Sequence, residues 1–181
     1  MQFTTPDMRE ITISDKSEAC DFIKDSCKEC NRKYECTGEN AAFCNHMKNI
    51  LVAKYGAAEG CLKESRIRHS MGVANFLFAY AKSHDWSKEE TEDLYLTGLL
   101  HDIGRFEQVR LYHTFNDGKS VNHAEIGVKI LFEDVLIREF IEDKQYDEII
   151  KIAILNHNRP AIEKGLTERQ LLHSKIIRDA D

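Results

Sequence analysis

The spacing of apolar residues constrains the fold of this chain more than any other feature. Between positions 67 and 81, apolar residues recur at intervals of three or four, which places them on one face of a helix. These residues are Ile67, Met71, Ala74, Leu77, Phe78 and Ala81. Helical spacing returns through most of the sequence, and only two prolines and nine glycines are available to interrupt it. We therefore predict an all-α fold.

Side chains that cap helices indicate where several of these helices begin. The stretches 87-SKEE-90 and 167-TERQ-170 are capping boxes, and Asn122 can cap a helix that starts at the next position. A further helix begins at about Tyr146, and another covers about 41–55.

Between these helices, a glycine and a polar segment indicate breaks. Because glycine commonly follows the last turn of a helix, we interpret Gly104 as the stop of the helix that begins at SKEE. The segment 111-LYHTFNDGKSVN-122 is polar, and we interpret it as a loop that can carry substrate contacts. Near the start of the chain, Ile11 and Ile13 alternate with polar residues, which hints at a strand.

Charge and hydropathy exclude some classes of partner. The chain has 25 Lys and Arg against 31 Asp and Glu, a formal net charge of −6, which argues against general nucleic-acid binding. The longest nearly apolar stretch, 73-VANFLFAYA-81, is too short to span a membrane. The first residues are charged and lack the apolar run of a secretory signal, so we expect a cytoplasmic protein.

A cluster of cysteines sets residues 1–60 apart from the rest of the chain. The members with ligand-like spacing are Cys27, Cys30, Cys36 and Cys44. Four thiolates can hold zinc in tetrahedral geometry or an iron–sulfur cluster, and His46 could replace Cys44. If a metal binds, we expect it to stabilise a small N-terminal segment. The alternative is that these are ordinary reduced thiols of a cytoplasmic protein.

Histidine and aspartate residues lie at or close to the ends of several predicted helices. They are His69, His101 with Asp102, His123, His157 and Asp181. Imidazole nitrogens bind zinc, iron, manganese and related ions. We expect Asp102 to bridge two ions about 3.5–4 Å apart, which could then share an attacking hydroxide. The alternative is that these are ordinary histidines, since the chain contains eight.

Four short phrases carry a resemblance to a known family. HDIGRF, NHAEIG, ILNHN and IIRDAD stand in an order and spacing similar to those of the HD-domain superfamily of metal-dependent phosphohydrolases, in the subgroup with extra histidines for a second metal. The resemblance covers about 61–181 and implies an HD-domain helical bundle after the Cys-rich segment. It implies one divalent ion held by His69, His101, Asp102 and Asp181. It implies a second ion held by Asp102, His123 and His157, with Fe, Mn, Mg, Ni or Zn as the metal.

Two further expectations follow from this resemblance. Arg105 stands where related enzymes use Lys or Arg near phosphate, so Asp102 and Arg105 are the predicted catalytic residues. The alternative for Arg105 is a surface salt bridge. In the family, the motif equivalent to DAD continues with a basic residue, a leucine and more helix, whereas this sequence stops at Asp181. We therefore expect an HD domain that is truncated at its C-terminal end.

These features predict a metal-dependent hydrolase of a phosphate ester or anhydride, in a nucleotide or other small phosphorylated metabolite. Metal-activated hydroxide would attack phosphorus, and no separate protein nucleophile is needed. Two alternatives remain open. The same ligands resemble those of di-iron HD-fold oxygenases, and an incomplete site would instead suit a non-catalytic module that senses metal or redox state. The sequence does not indicate an oligomeric state.

Overall fold

The structure is a computed structural model that describes residues 2–4, 10–12, 41–57 and 64–181. Two short strands, β1 (Gln2–Thr4) and β2 (Glu10–Thr12), form an antiparallel pair near the start of the chain. The predicted strand at Ile11 is therefore confirmed, while Ile13 lies outside the described residues.

Helices form most of the rest of the described chain, which confirms the predicted all-α class. They are α1 (Ala41–Tyr55), α2 (Glu64–Ser83), α3 (Lys88–Leu100), α4 (Gly104–Tyr112), α5 (His123–Val128), α6 (Asp147–His157) and α7 (Glu168–Ala180). A π-helical turn at Lys129–Glu133 extends α5, and 3-10 turns occur at Asp117–Lys119 and Leu136–Glu139. Within these described ranges, no helix is both long enough and apolar enough to cross a bilayer.

The predicted helix starts are confirmed by their capping hydrogen bonds. The Ser87 hydroxyl accepts from the Glu90 N–H at 3.2 Å, while the Glu90 carboxylate accepts from the Ser87 N–H at 3.1 Å. Thr167 forms the same reciprocal box at the start of α7. The side chain of Asn122 accepts from the Ala124 N–H at 2.8 Å and caps α5. Each cap satisfies a backbone donor that the helix itself leaves unpaired.

The prediction that Gly104 ends a helix is wrong, because Gly104 begins α4. A Cβ atom at this position would lie 2.0 Å from the carbonyl oxygen of His123 and 2.5 Å from the backbone nitrogen of Gly127. The glycine therefore permits the backbones of α4 and α5 to touch, which any larger residue would prevent. This contact brings the chain just after α3 against the first residue of α5.

Helix α3 lies between two apolar clusters and positions the chain that follows it. The larger cluster joins α3 to α1 and α6 through fully buried residues such as Leu51, Leu99 and Ile154. The smaller cluster joins it to α7 through Leu94 and Ile177. Burial of each such side chain contributes roughly 1.5–3 kcal/mol to the free energy of folding. The end of α3 is thus held on two sides.

His173 on α7 is a buried histidine outside the predicted site. Its side chain packs against the Trp86 ring, with ring centroids 5.3 Å apart, and the structure gives neither ring nitrogen a hydrogen-bond partner among the described residues. Burial, followed by the positive charge of Arg169, lowers the pKa of His173 to about 4. The folded protein therefore favours the neutral form of the His173 imidazole.

We predict that His173 weakens the fold in acid. Its folded-state pKa of about 4 lies below the ordinary value of 6.5, so the unfolded chain binds the proton more readily between these two pH values. Its contribution to stability is complete above pH 6.5 and is lost as the pH falls towards 4. Chemical denaturation should show that His173→Phe loses less stability than the parent chain between pH 7 and 4.5, by on the order of 2 kcal/mol.

A matched control for this measurement is His113→Asn. His113 is exposed and adopts a left-handed conformation with φ of 55°, which asparagine tolerates. This variant should follow the parent chain at every pH. The prediction would be contradicted if the free energy of unfolding changed with pH in the same way for the parent chain and for His173→Phe.

Candidate metal centre

His101 directly follows α3, His157 is the last residue of α6, and both rings are held by backbone carbonyls. His101 Nδ1 donates to the Gly98 carbonyl at 2.6 Å, and His157 Nδ1 donates to the Ile154 carbonyl at 2.6 Å. Because a carbonyl can only accept, each Nδ1 carries the proton, and in the neutral ring each Nε2 is left with a lone pair. Both residues thus present a metal-competent nitrogen in a fixed orientation.

The imidazole of His101 also provides a test of whether a cation fits the site. Its side chain is fully buried, and among the described residues Nε2 has no hydrogen-bond partner. A buried lone pair without a partner is costly, and a metal ion removes that cost. The donor set of imidazole nitrogens and carboxylate oxygens fits the metals expected from the sequence.

One group of ligands consists of Asp102, His123 and His157, and its candidate ligand atoms all lie within 4.8 Å of one another. The Nε2 atoms of the two histidines are 2.9 Å apart, and His123 Nε2 is 3.1 Å from Asp102 Oδ1. His123 Nδ1 faces the carboxylate of Asp117 at 2.8 Å, so it carries the proton. Two Nε2 lone pairs therefore face each other, and a cation or a proton must lie between them.

A second group shares Asp102 and contains His69 and His101. Asp181, next to the end of α7, completes this set: its Oδ1 is 2.8 Å from His69 Nε2 and 3.4 Å from His101 Nε2. The structure thus brings together all the predicted histidine and aspartate ligands of the HD set. Asp102 belongs to both groups, which is the position expected for a bridging ligand.

The two ligand carboxylates remain charged despite their surroundings. Burial alone would raise the pKa of Asp102, but its contacts with His123 and His157 and the nearby positive charge hold that pKa well below its usual range. Burial would likewise raise the pKa of Asp181, but its contacts with the His101 and His69 rings lower that pKa. Both groups are therefore carboxylates, the form that binds cations.

Asp117 supports this centre, although sequence reasoning identified it only as a loop residue. Its carboxylate accepts from Nδ1 and the backbone N–H of His123 and from the Gln108 amide at 2.7 Å. Burial would raise the pKa of Asp117, but these bonds from His123 and Gln108 lower it. A carboxylate bound to the far nitrogen of a ligand histidine fixes the orientation of the ring and raises its basicity.

Two guanidinium groups reach Asp102. Arg105 Nε, as predicted close to the site, donates to Asp102 Oδ1 at 3.2 Å, and its Nη1 donates to the Phe115 carbonyl at 2.8 Å. Arg66 Nη1 lies 3.5 Å from Asp102 Oδ2 and was missed by the sequence reasoning. The signal that could have found it is its position three residues before His69, on the same face of a helix.

The cysteine cluster stays a prediction. Cys44 lies on α1 in the larger apolar cluster, and its Sγ is 2.8 Å from the hydroxyl oxygen of Tyr95. Cys27, Cys30 and Cys36 lie outside the described residues. The only sulfur of the proposed set that the structure describes is therefore buried in the core of the described helices.

We predict two metal ions per chain, both dependent on Asp102. After loading with Mn²⁺ and removal of excess metal, metal analysis should give two ions for the parent chain and none for Asp102→Ala, because each ligand group loses its shared carboxylate. Asp134→Ala, which removes an exposed carboxylate, is the control and should retain both ions. A single ion in the parent chain, or an ion that survives Asp102→Ala, would contradict this arrangement.

We predict that Asp117 strengthens the binding of one of these ions and does not affect the binding of the other. Asp117→Asn should weaken the Mn²⁺ site formed with His123 and His157 by about 10–100-fold, because the His123 ring loses its charged anchor. Titration calorimetry should show one weakened and one unchanged site. Ser120→Ala, which removes another acceptor of the Gln108 amide, should change neither. Equal weakening of both sites would indicate general unfolding instead.

Comparison with known proteins agrees with this site. The family model described as the HD domain matches residues 66–181, which include every histidine and aspartate of the two ligand groups. No curated protein and no solved structure gives a significant match. The match covers more than half of the chain and reaches from the second α-helix to Asp181. The chain therefore belongs to the HD domain family, whose superfamily consists generally of metal-dependent hydrolases.

Proposed function

We propose that this protein is a metal-dependent phosphohydrolase that acts on a phosphate ester or anhydride of a nucleotide or other small phosphorylated metabolite. The observation that carries the proposal is the set of side chains that contact Asp102. Histidine groups that can hold cations contact one of its oxygens, and the guanidinium of Arg105 contacts the same oxygen. Ligands for cations and a donor for an anion thus meet at one carboxylate.

The ligand histidines and Asp102 are arranged to hold the cations that phosphoryl transfer needs. Two bound divalent ions would lower the pKa of water and neutralise charge that develops on phosphoryl oxygens. The fixed tautomers of His101 and His157 mean that these rings need not reorient when a cation binds. Asp102 stays ionised in its buried position, so the negative charge required to hold cations is already present.

Arg105 is the candidate for binding the phosphoryl group. Its side chain is only 16% exposed, and one of its nitrogens is anchored on the Phe115 carbonyl, which limits the positions of the guanidinium. Such a planar group can donate to two phosphate oxygens at once. This arrangement suits a substrate that carries an anionic group, as the phosphate in the proposed hydrolysis does.

The groups around Asp102 also favour direct attack by water. The histidines that contact Asp102 are candidate metal ligands through Nε2, so a bound metal would occupy the nitrogen that could otherwise attack phosphorus. We propose that the substrate is a small molecule rather than nucleic acid, in line with the formal net charge of −6, and that the protein works in the cytoplasm.

We predict phosphate release that depends on added divalent metal and on Arg105. With Mn²⁺ and a panel of phosphoesters, Arg105→Gln should lower kcat/KM by about 10–100-fold, because it removes a charge-assisted hydrogen bond while the metal ligands stay in place. Metal analysis of the variant should still give two ions. Asp102→Ala should release no phosphate and hold no metal.

The control is Arg110→Gln, since Arg110 on the same helix donates to Glu107 at 3.0 Å instead of contacting Asp102. It should retain the parent activity. A protein loaded with two metals that releases no phosphate from any ester, yet consumes O₂ with an organic substrate when loaded with iron, would establish the oxygenase instead. A loaded protein inactive in both assays would favour the sensing module.

A further inference from the structure

Asp102 is contacted by arginines through both of its oxygens. Arg105 on α4 donates to Oδ1 at 3.2 Å, and Arg66 near the start of α2 donates to Oδ2 at 3.5 Å. The two guanidiniums come from separate helices, and the side chains of Arg66 and Arg105 are 36% and 16% exposed. Both positive groups therefore lie at the predicted metal centre and remain accessible from solvent.

One loop residue supports both guanidiniums. The backbone carbonyl of Phe115 accepts from Arg105 Nη1 at 2.8 Å, and the guanidinium carbon of Arg66 lies 5.3 Å from the centroid of the Phe115 ring. The first contact is a hydrogen bond and the second a cation–π interaction, so the two arginines are held by different parts of the same residue. A paired arrangement of this kind restricts where the two groups can point.

Metal binding changes what these arginines can pair with. The carboxylate of Asp102 belongs to both candidate ligand groups, so bound cations would compete with the guanidiniums for its oxygens. The other nearby carboxylates, Asp117 and Asp181, contact the ligand histidines. Asp117 also lies 3.6 Å from Arg105 Nη1 and offsets part of the charge of that guanidinium. With two divalent ions present, positive charge at the centre would exceed negative charge, and an anion from solution would restore the balance.

We propose that Arg66 and Arg105 form a two-arginine clamp that selects a terminal phosphate group carrying two negative charges. This inference rests on the proposed phosphohydrolase function and narrows its substrate to phosphate monoesters and terminal phosphates. Such a group has three unesterified oxygens and accepts from two guanidiniums at once. A phosphodiester has one negative charge and two free oxygens, so it satisfies the clamp poorly.

The first test measures binding and needs no turnover. Titration calorimetry of inorganic phosphate into the Mn²⁺-loaded protein should show binding about 10-fold weaker for Arg66→Gln than for the parent chain, a loss typical of one partly exposed charge-assisted contact. Arg66→Lys should recover part of the affinity, since it keeps the charge without the planar fork. Arg110→Gln, the control in which an arginine paired with Glu107 is removed, should bind phosphate as the parent does.

The second test distinguishes a substrate contact from a structural role. Because Arg66 competes with cations for Asp102, Arg66→Gln should bind Mn²⁺ more tightly than the parent when phosphate is absent, whereas a damaged site would bind it less tightly. With p-nitrophenyl phosphate, the KM of Arg66→Gln should rise about 10-fold. With bis(p-nitrophenyl) phosphate, KM should change by less than about 2-fold, since a diester engages few of the clamp's donors.

Phe115→Leu separates the two arms of the clamp. It removes the ring beneath Arg66 but keeps the carbonyl that receives Arg105, so it should weaken phosphate binding in the parent chain and add little to Arg66→Gln. Unchanged phosphate affinity in Arg66→Gln and Arg66→Lys, weaker Mn²⁺ binding, or equal losses for monoester and diester would each overturn the clamp. Weakened phosphate binding in a protein that hydrolyses no ester would support the clamp and overturn the hydrolase.

Discussion

The backbone contact between Gly104 and the start of α5 is the constraint on which the metal centre depends. The absence of a side chain lets α4 approach the His123 carbonyl, and this approach places Asp102, two residues before Gly104, beside the imidazole of His123. Without this backbone contact, the carboxylate of Asp102 would lose its contact with His123. Apolar packing around α3 fixes the position of the helix end, and therefore of His101, which directly follows it.

Local sequence signals predicted most of the helical framework. Capping depends on residues three positions apart, so SKEE and TERQ marked the starts of α3 and α7 correctly. The family phrases predicted which histidines and aspartates would meet. Gly104 was misread because glycine serves equally as a helix stop and as a point of close backbone approach. The choice between these roles is made by α5, which is distant in sequence.

The supporting residues of the site were harder to predict for the same reason. Asp117 reaches His123 only because the 3-10 turn at Asp117–Lys119 folds the loop back over α5, and no periodic pattern encodes that path. Arg66 shares a helix face with His69, but many exposed arginines do so without function. What distinguishes Arg66 is a neighbour, Phe115, that lies far along the chain. Contacts of this kind follow from tertiary packing, not from local preference.

The contact between His69 and Asp181 joins residues that are 112 positions apart in the chain. During synthesis on the ribosome, His69 and His101 emerge long before the carboxylate of Asp181, which completes their ligand group. A nascent chain therefore offers an ion only a partial set of ligands, and full coordination waits until α7 has packed. The order of synthesis thus favours metal capture after α7 has packed over capture by earlier folding intermediates.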